Sequence, residues 1–376
     1  MPYEALYLHI PFCKSKCLYC DFDSRADAAC LDGMAAYLDA LEMQVRAHGN
    51  AGELDDVKTV YIGGGTPSLA GERLIGLVCS ILAFCTPVEF TCEANPESFS
   101  AGLACLLARA GVTRVSLGVQ SLVDCELSSI GRIHSAVDAL EAVQRARGAG
   151  LTVSCDLMCG LPGQTLASWE RTLGMLLDGE VRPDHISVYP LQLEEGTPLE
   201  RMERAGTVRV PDEDFQAECM DRAADLMRFA GYARYEVASY ALPGCECLHN
   251  IAYWTGKSYL GLGRSAASMR DEGDSGRERF VQLDDGGIEF DRESLSPREA
   301  VAEDLMLSCR MVRGISTELL DRASRYIPVD LIDAACSRAV DLGLARWSHG
   351  ALVPTHAGWL EGNELFGLFW NLARPA

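Results

Sequence analysis

The sequence predicts an α/β protein: a partial (β/α)6 barrel of parallel strands followed by a C-terminal winged-helix-like domain. Three observations lead there. Six short β-rich runs recur, each followed by a helix-like stretch, which is the pattern of a parallel sheet with covering helices. The residues with chemistry to offer fall where those runs end, the edge at which barrel proteins place their sites. A helix–helix–hairpin–helix pattern then closes the chain after an acidic, glycine-rich stretch.

The runs are "ALYLHI" (5–10), "VKTVYIGGG" (57–65), "VEFTCEA" (88–94), "VTRVSLGV" (112–119), "LTVSCDLMCG" (151–160) and "HISVYPL" (185–191). Segments such as "MAAYLDALEMQVRAH" and "SAVDALEAVQRARGAG" lie between them, with apolar residues at helical spacing. Cys13, Gly64, Glu93, Gln120 and Asp156 sit at or just after the strand ends. This core is expected to span residues 1–270. Residues 271–296 read as an acidic linker with a hairpin, since "DDGG" is a turn signal. Residues 297–376 form the winged-helix-like unit. It has 8 Arg and no Lys against 10 Asp plus Glu, a net of about −2, so it reads as a packing or lid domain and not a nucleic-acid reader.

Composition narrows the function classes. At 376 residues and 48% hydrophobic, the chain can bury a large core. It has no uninterrupted apolar run of membrane-spanning length and no basic-then-apolar N-terminal leader, so a cytoplasmic location is expected. A peripheral membrane contact stays open, as does the oligomeric state. A formal charge of −21 repels phosphate backbones and argues against nucleic acid as a partner. Sixteen cysteines in such a chain are expected as reduced thiols, most of them small core hydrophobes.

Three of them stand apart. "HIPFCKSKCLYCDF" (9–22) places Cys13, Cys17 and Cys20 in a C-x3-C-x2-C loop directly after the first strand. A structural zinc site wants four ligands, which Cys245 and Cys247 in "PGCECLHN" could complete, although C-x-C spacing is unusual for zinc. An iron–sulfur cluster also takes four thiolates as a rule. With three, one iron keeps a position open for another ligand.

With Tyr19 just before the third cysteine, the loop resembles that of the radical S-adenosylmethionine (SAM) superfamily. The flanks sharpen the resemblance. "YLHIPFC" (7–13), "YIGGGTPS" (61–68), "EANPES" (93–98), "SLGVQS" (116–121), "GRIHS" (131–135), "DLMCGLPGQT" (156–165) and "HNIAYW" (249–254) occur in order. Together they resemble the branch that contains oxygen-independent coproporphyrinogen III oxidase and the heme chaperones. The resemblance implies a radical-SAM barrel with a 4Fe-4S cluster on Cys13, Cys17 and Cys20 and SAM on the open iron. It implies SAM contacts from Tyr7, Gly64, Gly65, Thr66, Glu93, Gln120, Arg132 and Asp156.

Two features separate the sister groups. The oxidase pattern has a fourth cysteine two residues after the third, where this chain has Phe22. The "HNIAYW" motif of the chaperones implies heme as a ligand, bound through His249, with Tyr253 and Trp254 stacked on the porphyrin. Cys245 and Cys247 are alternative axial ligands, and a histidine bonded within its own loop is the plainer reading. The relatives continue "G-x-G-x-G-A-H-S", but here "GLGRSAAS" (261–268) puts Ser265 for a glycine and Ala267 for the histidine. The expected function is heme binding and delivery to acceptor hemoproteins, with oxidative decarboxylation of coproporphyrinogen as the alternative.

Overall fold

The computed structural model describes residues 3–26, 32–179 and 182–374. Its centre is a run of six parallel strands in sequence order: β1 (Ala5–Ile10), β2 (Thr59–Gly64), β3 (Glu89–Ala94), β4 (Arg114–Gln120), β5 (Thr152–Cys159) and β6 (His185–Pro190). All six lie on the runs expected from sequence. Their outward side chains, among them Leu6, Leu8, Val60, Ile62, Phe90, Cys92, Val115, Leu117, Val153 and Cys155, are fully buried under helices such as Met34–Asn50 and Ala136–Gly148. Burial of such side chains from water stabilises the layer by about 25 cal/mol per Å² of apolar surface. Local signals start the helices: Ser135 and Asp138 form a reciprocal capping box before Ala136–Gly148.

The inner face is different. Along β4 the residues facing inward are Arg114, Ser116, Gly118 and Gln120; along β5, Ser154, Asp156 and Met158; along β6, His185, Ser187 and Tyr189. This period of two, with polar or small residues on one face, lines a concave cavity instead of filling a core.

The sheet continues beyond the parallel run. β7 (Ala233–Arg234) and β8 (Ser239–Ala241) pair antiparallel beyond β6. On the other edge β9 (Tyr259–Leu262) joins β1 in parallel. β10 (Ala267–Asp271), β11 (Arg277–Gln282) and β12 (Phe290–Leu295) extend it antiparallel, making twelve strands. Half of the stretch expected as an acidic linker with a hairpin is therefore ladder, and β10 runs across the expected boundary at 270/271. Its hairpin turn lies between β11 and β12, at Asp284–Gly287, as the "DDGG" signal requires.

After Ser296 come helix Pro297–Ser308, β13 (Ile315–Ser316), helices Thr317–Ala323 and Val329–Asp341, β14 (Ala345–Ser348) and β15 (Ala351–Pro354), which form a small sheet with β13, then helices His356–Leu360 and Gly362–Trp370. These have their own apolar cluster around Leu305, Ile332, Leu365 and Phe369. The unit is also tied to the sheet extension, because buried Arg277 of β11 binds Glu303 at 2.6 Å and Asp304 at 2.8 Å.

Candidate functional site

The cysteine loop is held at both its neck and its tip. At the neck Cys13 N–H donates to Arg25 O at 2.8 Å, and Arg25 N–H to Pro11 O at 2.6 Å. Towards the tip Leu18 N–H donates to Ile130 O at 3.0 Å, and Leu18 O accepts from Leu199 N–H at 2.8 Å. Cys13, Cys17 and Cys20 are all half-buried and face one cavity of about 490 Å³. Burial pushes each thiol up from its ordinary range. Thr66 Oγ1 lies 3.7 Å from the Cys13 sulfur as a weak donor. Phe22, where a fourth cysteine would stand, is 63% exposed at the cavity rim.

Gly64, Gly65 and Thr66 follow β2 into the same cavity. Two glycines are required here. Gly64 has a φ of +114°, and a Cβ at Gly65 would come within 2.7 Å of the Phe12 carbonyl oxygen. Glu93, at the end of β3, accepts from Tyr61 Oη at 2.7 Å and from Gly64 N–H at 3.0 Å. Burial pushes its carboxyl up to about 7. Asp156 accepts from Ser116 Oγ at 2.9 Å and is likewise raised by burial. Gln120 ends β4 at a register shift against β5, with a φ of +66°, a conformation that non-glycine residues seldom adopt without a local reason.

Arg132 ties the two sides together. Its guanidinium donates to Asn95 Oδ1 at 2.9 Å and to Tyr19 Oη at 3.0 Å, while its buried Nε has no protein partner. Burial works against its charge, but Tyr19 and Cys17 beside it hold the cation firmly protonated. Three thiols without a fourth, a glycine cradle that a Cβ would close, and an unsatisfied guanidinium nitrogen fit a cluster with an open position next to a zwitterionic ligand. Arg132 suits the carboxylate of such a ligand, and Glu93 and Asp156 suit its ammonium or hydroxyl groups. Among the described residues no three His, Cys, Asp or Glu side chains, the three thiols included, stand close enough together to hold a metal ion as placed.

The cavity is deep. From Arg114 to Gln120 is six residue steps of strand, roughly 20 Å. Its far end is a floor that sequence reasoning missed. Arg114 pairs with Glu89 at 3.2 Å and donates to the carbonyls of Cys245 and Glu246 at 2.8 and 2.9 Å. Glu89 in turn accepts from His249 N–H at 2.9 Å and Leu248 N–H at 3.0 Å. Thus the start of the "HNIAYW" helix, Leu248–Trp254, is bolted under the N-terminal strand ends, opposite the cysteines. The missed signal was the alternation of polar residues within strand-like runs, which marks an inward face.

This placement corrects the expected geometry of His249. Far from presenting its ring from a loop, it is a helix residue, 1% exposed, with both nitrogens occupied: Nδ1 with Thr59 Oγ1 at 3.0 Å and Nε2 with Tyr253 Oη at 3.2 Å. Its ring stacks on Tyr61 at 5.2 Å, and burial holds its pKa down to about 3. Cys247 is equally buried, its sulfur 3.6 Å from Glu89, whereas Cys245 is half-exposed.

Tyr7 also lies outside the thiol-lined cavity. It belongs to a second cavity of about 590 Å³ between the sheet extension and the helix Pro297–Ser308. Tyr253, Trp254, Tyr259 and Met269 line it, together with Ala267, whose small side chain leaves space. The two cavities adjoin, sharing Phe22, Gly64 and Glu93 as walls.

Comparison with known proteins agrees with this architecture. The model of the radical SAM superfamily matches residues 7–176, the segment that carries the cysteine loop and β1 to β5. The structure of coproporphyrinogen III oxidase (HemN) from Escherichia coli, described as a radical SAM enzyme, superposes with a TM-score of 0.81 over 98% of this chain and 90% of its own, at 20% identity. Among curated proteins, the heme chaperone HemW of Bacillus subtilis is 33% identical, aligned over 97% of this chain and 99% of its own length. That of Escherichia coli is 38% identical over 71% and 70%. The chain belongs to the HemW family of radical SAM proteins.

Proposed function

We propose that this protein is a heme chaperone, which binds heme and hands it to acceptor hemoproteins. Its cysteines Cys13, Cys17 and Cys20 hold a 4Fe-4S cluster, and SAM sits against Gly64, Gly65, Thr66, Glu93, Gln120, Arg132 and Asp156. When bound, the cluster supplies one open iron position and one electron. The chain's own part is to hold the ligand. Arg132 binds a carboxylate, Glu93 and Asp156 accept from its donors, and the glycine turn lets backbone approach closely. The concave sheet is read as a partial barrel, and residues 297–376 as a winged-helix-like unit packed on its extension. A cytoplasmic location and a lack of nucleic-acid partners follow the composition.

The observation that carries this reading is the second cavity. It adjoins the thiol-lined one, it is lined by both aromatics of "HNIAYW", and its volume is in the range of about 300–1,000 Å³ common for cofactor sites. Tyr253 and Trp254 give this cavity the aromatic surface on which a flat apolar ring would pack. His249 stands behind them and orients Tyr253 through its Nε2, so the porphyrin contact falls to the aromatics and not to the histidine.

A heme titration of the anaerobically reconstituted protein, followed by its Soret band, tests the proposal. Saturable, near-stoichiometric binding that weakens several-fold in Trp254→Leu supports it. Absence of specific binding by the wild type overturns it and returns the oxidase reading, for which the divinyl porphyrinogen product is the assay. Binding that survives Trp254→Leu but is lost in Cys245→Ser moves the heme to the exposed thiol.

A further inference from the structure

The neck of the cysteine loop is gripped by the antiparallel extension of the sheet, over 240 residues away in sequence. Ser265 Oγ donates to Asp23 Oδ2 at 2.6 Å, and Arg264 Nε to the same oxygen at 2.9 Å. Arg264 also donates to Leu283 O at 2.9 Å, which fixes the guanidinium from behind. At the hairpin turn Asp285 takes Arg25 in a two-pronged pair, Nη1 to Oδ2 at 3.1 Å and Nη2 to Oδ1 at 2.9 Å. Gln44 Nε2 donates to the Asp285 carbonyl at 3.2 Å and anchors that turn to the helix Met34–Asn50. Both gripped residues lie within five positions of Cys20, and Arg25 O is the acceptor for Cys13 N–H.

Ser265 holds its place at a cost. It is one of three non-glycine residues with positive φ among those described, at +63°. A serine kept in a conformation that glycine would adopt freely is kept for its side chain. The grip also touches the second cavity, whose walls include Phe22, Asp23 and Ser265.

We propose that Ser265, Arg264 and Asp285 are positioning residues for the iron–sulfur loop, setting the spacing of Cys20 and Cys13 from the antiparallel extension of the sheet. The fold does not need them for stability, because these ion pairs are partly exposed and such pairs contribute little. Their effect is on geometry. A loop tied at its neck by two side-chain contacts limits how far Cys13 and Cys20 can move relative to each other.

The inference rests on the reading of the three cysteines as cluster ligands, and the test separates the two. Wild type, Ser265→Gly, Asp285→Ala, Asp285→Glu and the Ser265→Gly/Asp285→Ala pair are reconstituted with iron and sulfide. Release of iron to a chelator and the electron paramagnetic resonance of the reduced cluster are followed, beside the melting temperature of the cluster-free protein. Ser265→Gly relieves the backbone while deleting the hydroxyl, so its fold stability holds or rises. Iron release several-fold faster in both single variants, faster still in the pair, with a broadened or shifted resonance and restoration in Asp285→Glu, supports the grip. A pair that assembles no cluster yet melts like wild type supports it too. Wild-type release and resonance in the pair overturn it, and so does a loss that merely tracks a fall in melting temperature. Failure of the wild type to take up a cluster would instead sink the cysteine assignment.

Discussion

The two ends of the deep cavity are built from the same strands and are opposite in kind. At the C-terminal ends, thiols, a glycine turn and Arg132 leave bonding capacity unspent, including a buried Nε without a partner. At the N-terminal ends most of it is spent: Glu89 takes two helix N–H groups and Arg114, and His249 has partners on both nitrogens, so that Arg114 Nη1 is left as the open donor of this network. Unsatisfied groups in a cavity are places for a ligand, whereas satisfied buried networks hold structure. A motif can therefore mark a family without each of its residues touching the ligand.

The sharpest way to break this contrast is at the thiols. Cys17→Ser is expected to abolish the broad absorption near ~400 nm of a 4Fe-4S cluster and most bound iron and sulfide, with the melting of the cluster-free protein unchanged. Full retention of iron would reverse the assignment of the two ends.

Next comes the floor. Arg114→Met strands Glu89 as a buried carboxylate and frees the carbonyls of Cys245 and Glu246. Such a broken pair costs about 3–5 kcal/mol, read as a lower urea midpoint. The same protein should still assemble its cluster, since the floor lies roughly 20 Å from Gln120. An unaltered midpoint would show the floor to be dispensable.

The pH response sharpens the comparison further, because the ends carry opposite signs. Burial holds His249 and His185 down to about 3, so their native rings stay neutral while the unfolded ones protonate near an ordinary 6.5. Their contribution is intact above about pH 6.5 and is lost as the pH falls towards 3. The slope is up to about 1.4 kcal/mol per unit for each ring. Glu93, pushed by burial from 4.5 to about 7, binds a proton in the folded state first. Its contribution is present below about pH 4.5 and lost as the pH rises through 7. Urea melts at several pH values should show a shallower acid loss in His249→Phe and a shallower neutral loss in Glu93→Gln. Identical profiles for both variants would mean that these groups do not titrate with folding.

The smallest effect is expected on binding. Glu93→Gln keeps an acceptor for Tyr61 but loses the charge, and SAM affinity of the reconstituted protein should fall about tenfold by calorimetry. A change below twofold would remove Glu93 from the ligand's contacts.

Much of this architecture was legible. β1 to β6 were visible as β-rich runs ending in glycine or polar loops, because a strand buried on its outer face must be apolar over a short span. Cys13, Cys17 and Cys20 were readable because their clustering lies in one loop, so their nearness is a fact of the chain. The floor was not. Glu89, Arg114 and His249 are separated by 25 or more positions, and only the pairing of β3 with β4 and the packing of the Leu248–Trp254 helix beneath them bring the three together. The stretch 271–296 misled for a related reason: most of its acidic residues lie in the turns between strands, so composition showed the solvated turns and concealed the ladder they connect.

By itself, then, the sequence determined the strand–helix alternation, the thiol loop and the glycine turn beside it, since each depends on neighbours within a dozen residues. Tertiary structure alone decided that His249 is buried behind Tyr61 and Tyr253, that Tyr7 lines the second cavity and not the one the thiols face, and that Ser265 grips Asp23. Those are contacts between segments far apart in the chain, set by register and side-chain direction, and no local pattern of residues records them.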